Sequence, residues 1–407
     1  MSFESLFASR INSTIGIPSS EYSIGGISKW TIPLNYGMPA EELFPVQKVS
    51  EAMKITMDNF DRKTLQYGGG DGVSKLERWL HRRYSTSWNI DHMEDEILVT
   101  YGASQAIDLI ARTFLNDGDE VWVEAPTYFG ALYIFSNYNV ALKEFPIDKD
   151  GVDVNAIEDE LIKRVSQGKK IPKLFYTIPT FQNPTGTTLS MERRKKLSEL
   201  AAKYNFVIVE DDCYGDITFL DKEIIPIKAL GFERTIYISS FSKVIAPGFR
   251  IGWIIANKNI ASELKKMKPD GGTSGVTQEI MANLLENIDY QEHIDLLKDY
   301  YFHKKNIMEN SLTKYFTEAA QWYSPSGGFY IWVTLPEVVD TNVIICDALK
   351  KRVNFVPGSN FYIGNKERNQ LRLSFAYSSA SSIEVGVRRL AEVIGNKLQN
   401  DEIIKNI

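Results

Sequence analysis

Ser239-Ser240-Phe241-Ser242-Lys243-Val244-Ile245-Ala246-Pro247-Gly248-Phe249-Arg250-Ile251-Gly252-Trp253 sets one lysine in a loop flanked by serines and a later arginine, between two apolar runs, 235–239 and 251–256. The runs are rich in isoleucine, each carries one aromatic residue, and both have strand length, so the lysine follows directly on a strand. A lysine that forms a Schiff base with an aldehyde must be delivered unprotonated, and burial beside other cations lowers its pKa from about 10.4. Ser240, Ser242 and Arg250 are donors of the kind that a phosphate requires. Taken alone, a lysine in a serine-rich loop is more often a solvated surface group. The rest of the chain decides between the two.

Around this loop, short β-branched runs at 97–100, 120–124, 141–145, 173–178, 206–210, 235–239 and 251–256 alternate with helical patterns. That alternation predicts an α/β fold with a seven-stranded, mostly parallel sheet covered by helices. Ser190 is the expected N-cap of a helix in which Leu197, Leu200, Ala201 and Tyr204 recur at helical spacing. After Gly271-Gly272, helical stretches at 277–288 and 290–316 are expected to act as connectors. Beyond Pro325 a strand at 327–333, a helix at 343–351, a strand at 370–375 and a helix at 382–398 describe a smaller α+β domain. The expected division is an N-terminal arm over 1–40 that contributes to the small domain or a lid, a large domain over 41–290 and a small domain over 291–407.

A net charge of −6, from 46 basic and 52 acidic residues without charge blocks, gives no basic footprint for nucleic acid. No apolar run approaches the roughly 18 residues that span a bilayer, and residues 1–10 lack a leader pattern, so a cytoplasmic protein is expected. Cys213 and Cys346 form no C-x-x-C pair, and His81, His92, His293 and His303 lack metal-ligand spacing, so no metal is expected.

Further segments carry chemistry of their own. Val207-Ile208-Val209-Glu210-Asp211-Asp212-Cys213-Tyr214 ends an apolar run on three acids. Phe181-Gln182-Asn183-Pro184-Thr185-Gly186 is a turn by propensity. Thr100-Tyr101-Gly102-Ala103-Ser104-Gln105 leads a strand into a helix, whose N-terminal N–H groups and dipole suit a phosphate. Glu124-Ala125-Pro126-Thr127-Tyr128 presents an aromatic ring. Leu371-Arg372-Leu373-Ser374-Phe375 places an arginine in an apolar strand, where it is costly unless it meets an anion. Near the N-terminus stand Asn35-Tyr36-Gly37-Met38-Pro39 and Gln66-Tyr67-Gly68-Gly69-Gly70-Asp71-Gly72.

The pattern S-x-S-K-x-x-x-P-G-x-R-x-G-W resembles the lysine segment of the class I/II aminotransferases, which are fold-type I pyridoxal-phosphate enzymes. The other segments follow in that family's order from Leu34 to Phe375. The resemblance implies that Lys243 holds pyridoxal 5'-phosphate as a Schiff base and later shuttles a proton. It implies that Ser240, Ser242, Arg250 and the cup of Gly102, Ala103 and Ser104 hold the phosphate, and that Tyr128 stacks on the ring. Asp211 would face the pyridine nitrogen and Tyr214 the ring hydroxyl, which selects Asp211 over Glu210 and Asp212. Asn183 would touch both cofactor and substrate, with Arg372 as the anchor of the substrate carboxylate and Gly37 beside it. Tyr67 would reach the phosphate of a partner subunit, which implies a homodimer. The implied reaction moves an amino group from an amino acid to a 2-oxo acid. A carbon–sulfur lyase uses the same parts. A regulator of the MocR type needs a basic winged-helix domain ahead of Leu34, where about 33 residues stand.

Ala40-Glu41-Glu42-Leu43-Phe44-Pro45 and the E-D-D-x-Y-G strand end resemble most closely the 2-aminoadipate and kynurenine branch, which implies 2-oxoglutarate as acceptor. In Ser20-Glu21-Tyr22-Ser23-Ile24-Gly25-Gly26-Ile27, Gly25 stands where that branch carries an arginine for an acidic side chain. Unless Arg10 or Lys29 substitutes, apolar or aromatic donors, met by Tyr22, Ile27 or Trp30, are expected ahead of 2-aminoadipate.

Overall fold

The chain enters the fold through β1 (Ile32–Pro33) and two helices, α1 (Val46–Asp58) and α2 (Lys75–Trp88). The computed structural model describes residues 3, 6–8, 30–67, 74–88, 95–231, 233–316, 320–364 and 367–405. The arm pattern at 20–27, with Arg10 and Lys29, lies outside them.

Eight strands then build one sheet: β2 (Asp95–Thr100), β3 (Glu120–Ala125), β4 (Ala141–Asp148), β5 (Gly151–Val152), β6 (Leu174–Thr177), β7 (Val207–Asp211), β8 (Thr235–Ser240) and β9 (Gly252–Asn257). Their order is β2-β9-β8-β7-β6-β3-β4-β5. The run β8-β7-β6-β3-β4 is parallel, whereas β9 is antiparallel to both β8 and β2. Seven strands coincide with the expected runs. The eighth, β5, is a two-residue hairpin partner of β4 entered through Gly151 at φ 93°, too short to leave a periodic signal.

The central strands are apolar on both faces because helices cover both sides. Ile208 and Phe175 belong to the core under α5 (Val154–Ser166) and α6 (Met191–Tyr204), with Leu197 and Leu200. Their neighbours Val209, Tyr176 and Ile238 turn to the core under α3 (Ala103–Phe114) and α4 (Phe129–Ser136), with Ile107 and Ile110. Ser190 caps α6 by accepting from the Arg193 N–H, and Asn205 ends it in the left-handed region at φ 61°. Truncating fully buried Leu197 to alanine would cost about 2–5 kcal/mol.

Helices α7 (Lys258–Lys266) and α8 (Gly275–Asn287) lead to the 26-residue α9 (Tyr290–Tyr315). Beyond it lie β10 (Gln321–Trp322), β11 (Tyr330–Thr334), α10 (Thr341–Lys350), β12 (Val353–Asn354), β13 (Val356–Pro357), β14 (Gln370–Ser374) and α11 (Ala380–Lys405). Four of these strands form an antiparallel sheet in the order β10-β11-β14-β13. β12 instead pairs in parallel with β1, Ile32 opposite Val353, so the N-terminal segment is stitched to this second sheet. No helix among the described residues is long and apolar enough to cross a membrane.

Strand order has one consequence for chemistry. The carboxyl ends of β2, β8, β7, β6 and β3 emerge on one edge of the sheet, the edge at which open α/β sheets bind ligands.

Candidate active site

At one end of that edge β9, β8 and the start of α3 meet in a corner. Gly252 pairs with Thr100 on one side and Ser240 on the other. A Cβ on Gly252 would stand 2.7 Å from the Gly102 carbonyl carbon and 2.8 Å from the Ala103 nitrogen, so only glycine lets β9 pass so close to the start of α3. Gly102, at φ 85°, is the N-cap of α3 and has no side chain to satisfy the first-turn N–H groups of Ala103 and Ser104. Arg250, itself left-handed at φ 52°, brings its guanidinium against Gly102 and donates to the Tyr101 carbonyl at 3.1 Å. Ser240 is buried, and its Oγ accepts from the Ser242 N–H at 3.4 Å. Helix N-terminus, guanidinium and hydroxyl thus meet as an anion cradle.

Next along the edge is β7, where the pleat sorts the three acids. Glu210 accepts from the N–H groups of Ile227 (2.7 Å) and Lys228 (2.8 Å), and Asp212 from the Tyr237 hydroxyl (3.0 Å). Asp211 points the other way and accepts from the Tyr176 hydroxyl at 2.7 Å. Burial raises the Asp211 carboxyl above the usual carboxylate range, against the Tyr176 and Cys213 hydrogen bonds and the charge of Lys243. An ionised Asp211 therefore calls for a cation in front of it. The Lys243 ammonium lies 5.9 Å from the Tyr214 ring centroid and donates to the Gly37 carbonyl at 2.7 Å. Tyr214 is buried, its hydroxyl 3.0 Å from that of Tyr330. Tyr128 precedes α4, and a Cβ on Gly130 would strike its ring at 2.3 Å, so the ring folds back over the start of its own helix.

The third corner is made by long-range contacts. Arg372 sits in central strand β14, opposite Trp332 on one side and Val356 on the other, with no exposed surface. Its Nη1 donates to Asn183 Oδ1 at 2.9 Å and its Nη2 to the Asn35 carbonyl at 2.8 Å, while its guanidinium carbon lies 4.2 Å from the Tyr330 ring centroid. Neutral acceptors and an aromatic face thus orient the fork, as an anchor for a carboxylate requires. Asn183 is held from behind. The Gln182 amide donates to the Pro126 carbonyl (2.7 Å) and to Glu124 (3.2 Å), and accepts from the Thr185 N–H and hydroxyl. Glu124 also accepts from Thr177 (2.5 Å) and the Ile178 N–H (3.0 Å), and burial pushes its carboxyl up to about 7.

Lys243, Asp211, Tyr214, Asn183, Arg372, Gly37, Ser240, Ser242, Arg250, Gly102, Ala103, Ser104 and Tyr128 therefore stand along one sheet edge and the segment facing it. Tyr67 does not join them within the chain. It is 86% exposed, its ring beside Gly271. Reading the sequence missed Tyr176, Tyr330, Asn35 and the Glu124–Gln182 clamp. The two tyrosines sit in buried strand patterns and carry no local mark that separates them from core.

The cradle that a Cβ at Gly252 would fill, the buried Asp211 and the nearby Lys243 amine fit pyridoxal 5'-phosphate at its phosphate, its ring nitrogen and its aldehyde. The family model for aminotransferase class I and II matches residues 32–390. The chain is 38% identical over 375 residues to the aromatic-amino-acid aminotransferase 1 of Thermococcus litoralis, which covers 90% of this chain and 89% of that one. It is 32% identical over 364 residues to the 2-aminoadipate transaminase of Thermus thermophilus, 88% of each chain. The solved kynurenine aminotransferase of Pyrococcus horikoshii, in complex with PMP, matches with a TM-score of 0.90 at 35% identity, over 97% of this chain and 98% of that one. A match that starts at β1 and ends inside α11 spans all three corners of the site, and the chain belongs to the class I and II aminotransferases.

Proposed function

We propose that Lys243, Asp211 and Tyr214 are the catalytic residues of this pyridoxal-phosphate-dependent transaminase. The observation that carries the assignment is one unbroken path of contacts: the Lys243 amine lies over Tyr214, Tyr214 meets Tyr330, and the Tyr330 ring lies under the Arg372 fork.

The cofactor supplies an aldehyde and an electron-withdrawing ring. Lys243 holds the aldehyde and, once released, is the base that takes the α-proton of the amino acid and returns it. The Gly37 carbonyl gives the free amine a resting partner 2.7 Å away. Asp211 keeps a proton on the ring nitrogen, and Tyr214 donates to the ring hydroxyl. Gly102, Ala103, Ser104, Ser240, Ser242 and Arg250 bind the phosphate, and Tyr128 covers the ring. Arg372 and Asn183, with the backbone at Gly37, orient the substrate carboxylate, so that the α-hydrogen faces Lys243.

Amino acid and 2-oxo acid are the substrates. Aromatic or apolar donors are supported by Gly25 in the arm pattern and by the similarity to an aromatic-amino-acid aminotransferase, whereas 2-oxoglutarate as acceptor rests on the resemblance to the 2-aminoadipate and kynurenine branch and needs another donor for its distal carboxylate. A homodimer is supported by the exposure of Tyr67, which leaves its ring available to a second copy. In this account residues 1–40 act as the arm, 41–290 as the large domain and 291–407 as the small domain, in the cytoplasm. A panel of phenylalanine, leucine, methionine and 2-aminoadipate with 2-oxoglutarate or pyruvate tests the donor assignment. A kcat/KM for 2-aminoadipate about tenfold above the others, about 1.4 kcal/mol, contradicts it.

A further inference from the structure

Tyr330 opens β11, opposite Ser374 of β14, and is 1% exposed. Its hydroxyl oxygen lies 3.0 Å from that of Tyr214, with the two rings edge to face at 76°. The Arg372 guanidinium lies over the ring at 4.2 Å. Its carbonyl abuts the turn that carries Asn183, since a Cβ on Gly186 would stand 2.8 Å from it. One side chain therefore touches both the tyrosine assigned to the cofactor's ring hydroxyl and the arginine assigned to the substrate carboxylate.

Two hydroxyls 3.0 Å apart share one hydrogen. If Tyr214 donates to Tyr330, its only O–H hydrogen is spent and none is left for the ring oxygen of the cofactor. If Tyr330 donates, Tyr214 accepts and its own hydrogen points onward. A cation over the face of a phenol withdraws electron density and makes its hydroxyl the better donor, so Arg372 favours the second arrangement.

We propose that Tyr330 is a positioning residue that fixes the direction of the Tyr214 hydroxyl and strengthens its hydrogen bond to the cofactor's ring oxygen. The proposal rests on the assignment of Tyr214 made above. A stronger donor at the ring oxygen stabilises its anionic form and lowers the proton affinity of the nitrogen through which Lys243 holds the cofactor. Tyr330→Phe removes the hydroxyl alone and leaves the ring under Arg372.

The test is a spectrophotometric pH titration of the holoenzyme's visible absorbance in the wild type, Tyr330→Phe and Tyr214→Phe. Removing a charge-assisted donor in Tyr214→Phe raises the midpoint by about 1 to 2 units. Removing the donor behind it in Tyr330→Phe raises the midpoint by about 0.1 to 0.6 unit, since a second bond in a chain strengthens the first by roughly 10–30%. A shift in Tyr214→Phe with none, or a downward one, in Tyr330→Phe overturns the role of Tyr330 and leaves that of Tyr214 standing. No shift in either variant overturns both. Packing loss alone would lower the melting temperature of Tyr330→Phe without moving the midpoint, and that result also counts against the proposal.

Discussion

Replacing Arg372 by lysine keeps the charge and removes the fork. In the native site Nη1 is committed to Asn183 and Nη2 to the Asn35 carbonyl, and a planar guanidinium can hold both while presenting two parallel N–H groups to a carboxylate. One ammonium cannot meet the same acceptors and grip a carboxylate in two places. The loss is about one charge-assisted hydrogen bond, about 1.5–3 kcal/mol, or roughly 10- to 150-fold in kcat/KM. The assay is single-turnover transfer from phenylalanine compared with phenethylamine, which has the amine and ring but no carboxylate. For the amine, the Arg372→Lys effect should stay within about threefold, because the missing contact is one it never makes. An equal loss on both substrates would refute the reasoning and make Arg372 a packing residue.

Gly252→Ala should weaken cofactor binding by about tenfold or more, because its Cβ meets the Gly102 carbonyl carbon and the Ala103 nitrogen rather than a movable side chain; equilibrium titration of the cofactor-free protein measures it, and an unchanged affinity counts against the cradle. Glu124→Gln should flatten the pH dependence of stability. The native carboxyl keeps its proton up to about 7 whereas the unfolded one loses it near about 4.3, so stability falls as pH rises through that window. Glutamine mimics the protonated acid, donating to Thr177 and accepting from Ile178 and Gln182. Urea unfolding of the cofactor-free protein at about pH 5 and about pH 8 should show a drop smaller by on the order of 3 kcal/mol in the variant, and equal drops would contradict it. Mixing Tyr67→Phe and Lys243→Ala chains should yield hybrid dimers with one doubly altered and one unaltered site; self-contained behaviour of every site argues against sharing.

Strands were legible where a run was buried on both faces: Val207-Ile208-Val209 and Ile236-Tyr237-Ile238 carry the signal in composition alone. The two-residue β5 and the β1–β12 pair were not, because they exist only through pairing. Asp211 was singled out by resemblance, and the pleat supplies the cause: Glu210 and Asp212 are consumed by Ile227, Lys228 and Tyr237 on the opposite face. The third corner was the least legible. Arg372 was marked as an expensive charge in an apolar strand, but its partner Asn35 stands 337 residues away, and Tyr330 stands 116 from Tyr214. A local pattern can flag a residue that needs a partner without naming it.

The central claim is that Lys243 holds the cofactor. Borohydride reduction of the holoenzyme followed by peptide mapping should place the pyridoxyl label on Lys243, and Lys243→Ala should abolish both label and amino transfer. A label on any other lysine, or amino transfer that survives in Lys243→Ala at the wild-type rate, would contradict the account.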